Sequence, residues 1–218
     1  MLRYPAGTLV AAMDTRTLFR ARWEMKKGGE DYLAFLLEDL KLAESIGGRA
    51  VYGYFPVTSD ASTLTVSGKY RWEFPGISKT APRTGLFSGS GGEHFLPLIA
   101  VTAGKKVVER SAALYRDGHY AEYFMLHGLA AELTETLCRL LHERINRELG
   151  VAGSRRRSPG HPGCPDLRHQ RDILELLDTF RIGLSVTESG QLVPEFSSTA
   201  FILPSAETEA RKEIHERS

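Results

Sequence analysis

The chain has 218 residues, 42% of them hydrophobic, which supports a packed core in one large domain or two small ones. Its 28 basic and 27 acidic side chains leave a formal charge of +1, which argues against a dedicated nucleic-acid binder resting on a large excess of Lys and Arg. Two cysteines, Cys138 and Cys164, build neither a disulfide framework nor a spaced metal set, a usage that suits a reducing cytoplasm.

No stretch approaches the ~20 apolar residues a membrane span needs, so a soluble, cytoplasmic protein is expected. Along the chain, Asp14 predicts a capped helix through about Met25 carrying Leu18, Phe19 and Trp23. A second helix is expected over Glu30 to Ser45 with Leu33, Leu36, Leu37 and Leu40 on one side, stopped by Gly47 and Gly48. "RAVYGYFPV" then reads as a buried strand and "STLTVSG" as its hairpin partner. From Pro75 to Glu93 the periodicity vanishes, and "GLFSGSGG" has the composition of a flexible loop without the lysine of a P-loop.

"HFLPLIAVTAG" predicts a central strand ending at Gly104, followed by a short helix through Tyr115. From His119 to Leu149, Leu126, Leu129, Ala130, Leu133, Leu137, Leu140 and Leu141 recur at three- and four-residue steps, the stripe of a long amphipathic helix. Glu135 with Arg139 and Glu143 with Arg147 are spaced to pair on its other side. Asp166 is placed to cap a helix over "LRHQRDILELLD", and "GLSVTES" and "STAFILP" read as strands. Strands clustered between helices predict an α+β fold: a central, mostly antiparallel, twisted sheet flanked by helices. One domain is expected over residues 1–205, with a polar tail over 206–218.

Between the long helix and the last helix lies "RRRSPGHPGCP", Arg155 to Pro165. Pro159, Pro162 and Pro165 each lock φ and remove a backbone donor, and their spacing of three would align them on one face of a polyproline-like ribbon. Gly160 and Gly163 leave places where another molecule could approach the backbone. Arg156 at the mouth could grip a carboxylate through two parallel hydrogen bonds. Composition alone leaves four other uses open. These are a rigid connector between helices, a PxxP ligand for a partner domain, a metal site from His161, Cys164 and His169, and a local phosphate or RNA contact through the arginines.

The stretch "RRRSPGHPGCPDLRHQRDILELLD" resembles the motif region of the reactivation domain of cobalamin-dependent methionine synthase, whose pattern is Arg, variable positions, often Pro-Gly-Tyr-Pro-Ala-Cys-Pro, and a helix ending in Leu-Leu. "HGLAAELTETLCRLLHERINREL", "IGLSVTESGQLVPEFSSTAFIL", "DTRTLFRARWEMK" and "RAVYGYFPV" extend the resemblance over most of residues 10 to 205. It implies an α+β domain with a central antiparallel sheet that binds S-adenosylmethionine in a shallow groove. It also implies a role in reductive methylation of cob(II)alamin held by a methionine synthase chain, with an electron from flavodoxin or a similar donor.

Carried over residue by residue, the resemblance puts Arg156 at the ligand carboxylate, the backbone of Ser158 facing the ligand, and Gly160 at a close approach. His161 stands where the family has tyrosine, and Glu135 aligns with a glutamate near the ligand. No catalytic residue and no metal ligand is implied, nor any partner that is nucleic acid or membrane; cobalt carries the chemistry. Three departures stand out: only Asp60 remains of an acidic pair before the second strand, the segment after the long helix is shortened to "GVAGS", and the Leu-x-Asp-Phe stretch is missing. They favour a free-standing branch of the family. The alternatives are a non-catalytic interaction protein of the same fold, or a partner of another corrinoid methyltransferase.

Overall fold

The computed structural model describes residues 1–39, 47–60, 63–73, 86–88, 93–151, 153–162, 164 and 166–204. In chain order the elements are β1 (Leu2–Pro5), α1 (Ala6–Ala12), α2 (Thr15–Thr17), α3 (Gly29–Asp39), β2 (Gly47–Asp60), β3 (Thr63–Val66), β4 (Tyr70–Glu73), β5 (Phe87–Ser88) and β6 (His94–Thr102). There follow α4 (Lys105–Arg116), α5 (Tyr120–Leu149), β7 (Ser154–Arg157), α6 (Arg168–Leu177), β8 (Ser185–Val186), β9 (Leu192–Val193) and β10 (Ser197–Pro204). The principal sheet runs β4-β3-β2-β6-β10-β7, with β1 on β2 and β5 on β6. The pairings β1–β2, β2–β3, β3–β4, β5–β6 and β7–β10 are antiparallel, as the α+β reading expects.

By contacts the chain divides into two compact units, the first holding residues 1–51, 101–140 and 179–198 and the second 52–100, 141–178 and 199–218. In the first, Leu126, Leu129, Ala130, Leu133 and Leu137 of α5 are fully buried, as the apolar stripe demands, and Glu132, Thr134, Thr136 and Cys138 beside it are buried as well. Thr134 and Thr136 return their hydroxyls to the carbonyls one turn earlier, 2.9 Å each, which lets a polar atom share the buried face. Trp23 donates its indole N–H to the Met125 carbonyl at 2.9 Å, and Arg22 pairs with the buried Glu132 at 3.0 Å. The guanidinium of Arg139 donates to the Ala12 carbonyl.

The helix expected from Asp14 to Met25 forms only in part. Asp14 does cap it, accepting the Thr17 amide at 3.1 Å, but after Thr17 the turns widen into a π-helix over Leu18–Arg22. The wide turn keeps Leu18 and Trp23 buried together, five residues apart, which an α-helical spacing would set on different faces. The second helix covers Gly29–Asp39, with Leu33 and Leu36 buried; its expected continuation to Ser45 lies outside the described residues.

In the second unit, β3 pairs with β2 from Val57↔Val66 to Asp60↔Thr63, as the hairpin reading expects. β4, which periodicity does not reveal, adds its buried Trp72 opposite Leu64. The loop expected over "GLFSGSGG" contains a short strand: Phe87 is buried and pairs with Phe95 of β6, rings stacked at 5.8 Å. Burial of two apolar side chains there outweighs the loop-like composition around them. The rest of that segment, and the tail from residue 205, lie outside the described residues.

Candidate functional site

β7 is the last strand of the sheet order, antiparallel to β10, with Arg156 opposite Ile202 and Ser154 opposite Pro204. Strand alternation separates its arginines: Arg155 and Arg157 are exposed, while Ser154 and Arg156 share the half-buried face. That face meets the end of α5, where His142 and Asn146 lie one turn apart. Ser154 Oγ stands 2.5 Å from His142 Nε2 and donates to Asn146 Oδ1 at 2.5 Å. Because the hydroxyl proton goes to Asn146, the imidazole Nε2–H donates to Ser154. Burial, and then the neighbouring Arg156 charge, hold the His142 imidazole below its ordinary pKa.

The proline segment is not the extended ribbon its spacing suggests. His161 N–H donates to the Ser158 carbonyl (3.4 Å) and Cys164 N–H to the His161 carbonyl (2.7 Å). Gly160 N–H donates to the Cys164 carbonyl at 2.8 Å, and His161 and Cys164 form an isolated antiparallel bridge. The chain turns on itself because Gly160 takes φ 87°, a conformation that no polyproline segment contains and that glycine adopts without steric cost. A Cβ there would also come 2.8 Å from Leu167 Cδ2. Gly160 is therefore demanded first by the turn and its neighbour. The three amides that might have met a ligand are spent on the loop itself.

What the loop turns outward is Gly160, His161 and Pro162, all exposed, above buried Pro159 and Cys164 and half-buried Ser158. Burial, and secondarily Asp166, push the Cys164 thiol up to about 11, so it packs as a neutral side chain. Asp166 accepts the Arg168 amide at 2.9 Å and the Arg168 guanidinium at 2.6 Å, although it stands one residue before the N-cap position, which Leu167 takes in place of the expected Asp166. The guanidinium holds that carboxyl below the usual carboxylate range. His169, the third of the metal candidates, lies buried 5.1 Å from the Trp72 ring. Among the described residues no three His, Cys, Asp or Glu side chains gather closely enough to hold a metal ion. Gly163 and Pro165 fall outside the described residues.

Arg156, Ser158, Gly160 and His161 thus occupy one strand end and the loop it feeds. Glu135 belongs to the first unit, exposed on α5 between buried Thr134 and Thr136. Asp60 is exposed at the end of β2, opposite Thr63. The cluster beside Arg156, made by His142, Asn146 and Ser154, escaped the sequence analysis. Its one signal was a histidine and an asparagine at i and i+4 on the polar side of the helix.

Fold and loop together define an α+β sheet domain in which the strand ending the sheet order carries Arg156 and runs into a turn with Ser158, Gly160 and His161. Residues 87–212 match the family described as the vitamin B12 dependent methionine synthase activation domain, and the chain belongs to that family. It is 28% identical to the methionine synthase of Mycobacterium tuberculosis over 244 aligned positions, and equally to that of Mycobacterium leprae; each alignment covers 88% of this chain. The chain spans 20% of the length of those relatives. Its fold resembles the crystal structure of the MetH reactivation domain bound to AdoHcy, with a TM-score of 0.68 and 20% identity over 92% of this chain and 76% of that one.

Proposed function

We propose that this chain binds S-adenosylmethionine at the loop following β7 and supports reductive methylation of an oxidised cobalamin carried by a methionine synthase module. The observation that carries this is the loop's shape: a side-chain-free, exposed edge at Gly160 beside the His161 ring, at the end of the strand that bears Arg156. These groups suit the ligand. A guanidinium can fork onto its carboxylate, an imidazole can lie against its body, and a bare glycine admits close approach. That a structural neighbour is described as bound to AdoHcy, the demethylated form of the same molecule, supports the choice.

Bound there, S-adenosylmethionine supplies an electrophilic methyl group. The chain's own work is to hold and aim it, a contribution of position rather than of acid or base. His142 and Asn146 tie Ser154, and with it the start of the strand that carries Arg156, to the end of α5, which fixes where the backbone presents that arginine. Because the three amides Gly160, His161 and Cys164 are committed within the loop, recognition falls to side chains and to the glycine edge. Glu135 is not used in this reading. The electron would come from a flavodoxin-like donor.

Calorimetric titration with S-adenosylmethionine tests the binding half. Wild type should give saturable heat, and Arg156→Ala should weaken binding by ~1.5–3 kcal/mol, the range for a hydrogen bond to a charged group. An unchanged affinity in the variant would move the anchor elsewhere. Silence of the wild type at millimolar ligand would leave an interaction module of the same fold.

A further inference from the structure

The first unit carries a second concentration of charge, independent of the loop. After α2 and the wide turn over Leu18–Arg22 the chain reverses at Glu24, which sits at φ 55°. Met25 N–H donates to the Phe19 carbonyl at 2.8 Å, and Gly28 follows at φ 78°. Gly29 lies so near Phe19 that a Cβ would come 2.5 Å from the ring. After this reversal Lys26 and Lys27 line the same cleft as Arg16 and Arg20. The cleft has a volume of about 230 Å³, with Phe19 in its wall and Glu30 as the carboxylate among its described lining.

The charges are not arranged for the protein's own stability. Arg16 and Arg20 are four residues apart, a spacing at which like charges on a helical surface repel. Arg22 is neutralised by Glu132 at 3.0 Å, and Asp14 near Arg16 already accepts the Thr17 amide and hydroxyl at 3.1 and 2.7 Å. Among the described residues, Arg20, Lys26 and Lys27 take part in no ion pair. Glu24, a non-glycine residue in the left-handed region, makes the reversal that brings Lys26 and Lys27 into the same cleft lining as Arg16 and Arg20. Four cations and one carboxylate line this cleft, and with Asp14 acting on Arg16 from outside the described lining an excess of positive charge is left that an anion would relieve.

We propose that this cleft binds a small phosphate-bearing anion, the size of pyrophosphate or of the phosphate end of a nucleotide. Two guanidinium forks and two ammonium points match a multi-oxygen dianion better than a single carboxylate, and the volume exceeds that of a monatomic ion. The α3 N-terminus at the cleft edge adds its partial positive charge, offset in part by Glu30 and Asp31 in the first turn.

The test is a nuclear magnetic resonance titration of the isotope-labelled chain with inorganic phosphate, pyrophosphate and ADP, following the Arg16 and Arg20 Nε–Hε signals. Saturable shifts are expected, weakening as salt rises. In the double variant Arg20→Ser, Lys27→Ser, whose exposed side chains bear no packing role, affinity for pyrophosphate should fall at least roughly tenfold. Tighter binding of ADP than of pyrophosphate identifies a nucleotide as the source, and equal binding a free anion. Absence of saturation at ~10 mM pyrophosphate in low salt, or equal affinity in the double variant, overturns the proposal.

Discussion

At the scale of single residues, Gly160 shows how one position can be demanded twice. Its φ of 87° and the nearness of Leu167 make it a requirement of the folded loop before any ligand arrives. Gly160→Ala should therefore cost ~1–2 kcal/mol of stability, the usual penalty for a Cβ in the left-handed region, in urea unfolding without ligand. A variant as stable as wild type would return Gly160 to serving ligand approach alone. The same scale explains the polyproline misreading. Proline spacing is visible in a sequence, whereas the sign of a neighbouring glycine's φ is not, since glycine populates both signs about equally. Arg156 was legible as a candidate by its position, but its distinction from Arg155 and Arg157 comes from strand alternation against β10, a partner distant in sequence.

At the scale of elements, the long helix was the most readable part of the chain, because seven leucines and alanines at helical spacing mark one apolar face, although the fold buries Glu132, Thr134, Thr136 and Cys138 as well. The structure refines that face: Leu133 is fully buried and Leu140 only partly. Leu133→Ala should lower stability by ~2–5 kcal/mol, the range for a buried leucine leaving a cavity, with Leu140→Ala costing clearly less. Equal unfolding midpoints for the two would mean that the stripe is not the packing face. Short elements were far less readable. β4, β5 and β7 have four, two and four residues, too few to display a period, and they exist because a neighbouring strand supplies their hydrogen bonds. The π turn over Leu18–Arg22 is likewise a packing result, imposed where Leu18 and Trp23 must both be buried.

At the scale of the whole molecule, burial of imidazoles couples stability to pH. Desolvation is the largest influence on both His142 and His169 and holds each below the ordinary value of 6.5, with Arg156 adding to it at His142 and Asp166 and Asp172 opposing it at His169. The unfolded chain then takes up these protons first. Stability should stay level above pH 7 and fall as pH drops through 6.5, since the unfolded state binds more protons there. Urea midpoints measured at intervals from neutral to mildly acid pH check this, with a shallower decline expected in His142→Gln. A flat profile would mean that neither ring is held neutral by the fold.

The sequence by itself determined the α+β class, the order of the long elements, the hairpin of β2 and β3 and the membership of a family, because these follow from periodicity, turn residues and a motif read along the chain. Tertiary structure alone decided that the proline segment is a closed turn, that Ser154 bonds to His142 on the strand face it shares with Arg156, and that four cations line one cleft. Each of those depends on residues brought together from separate places or on a backbone angle, and neither is written in local order.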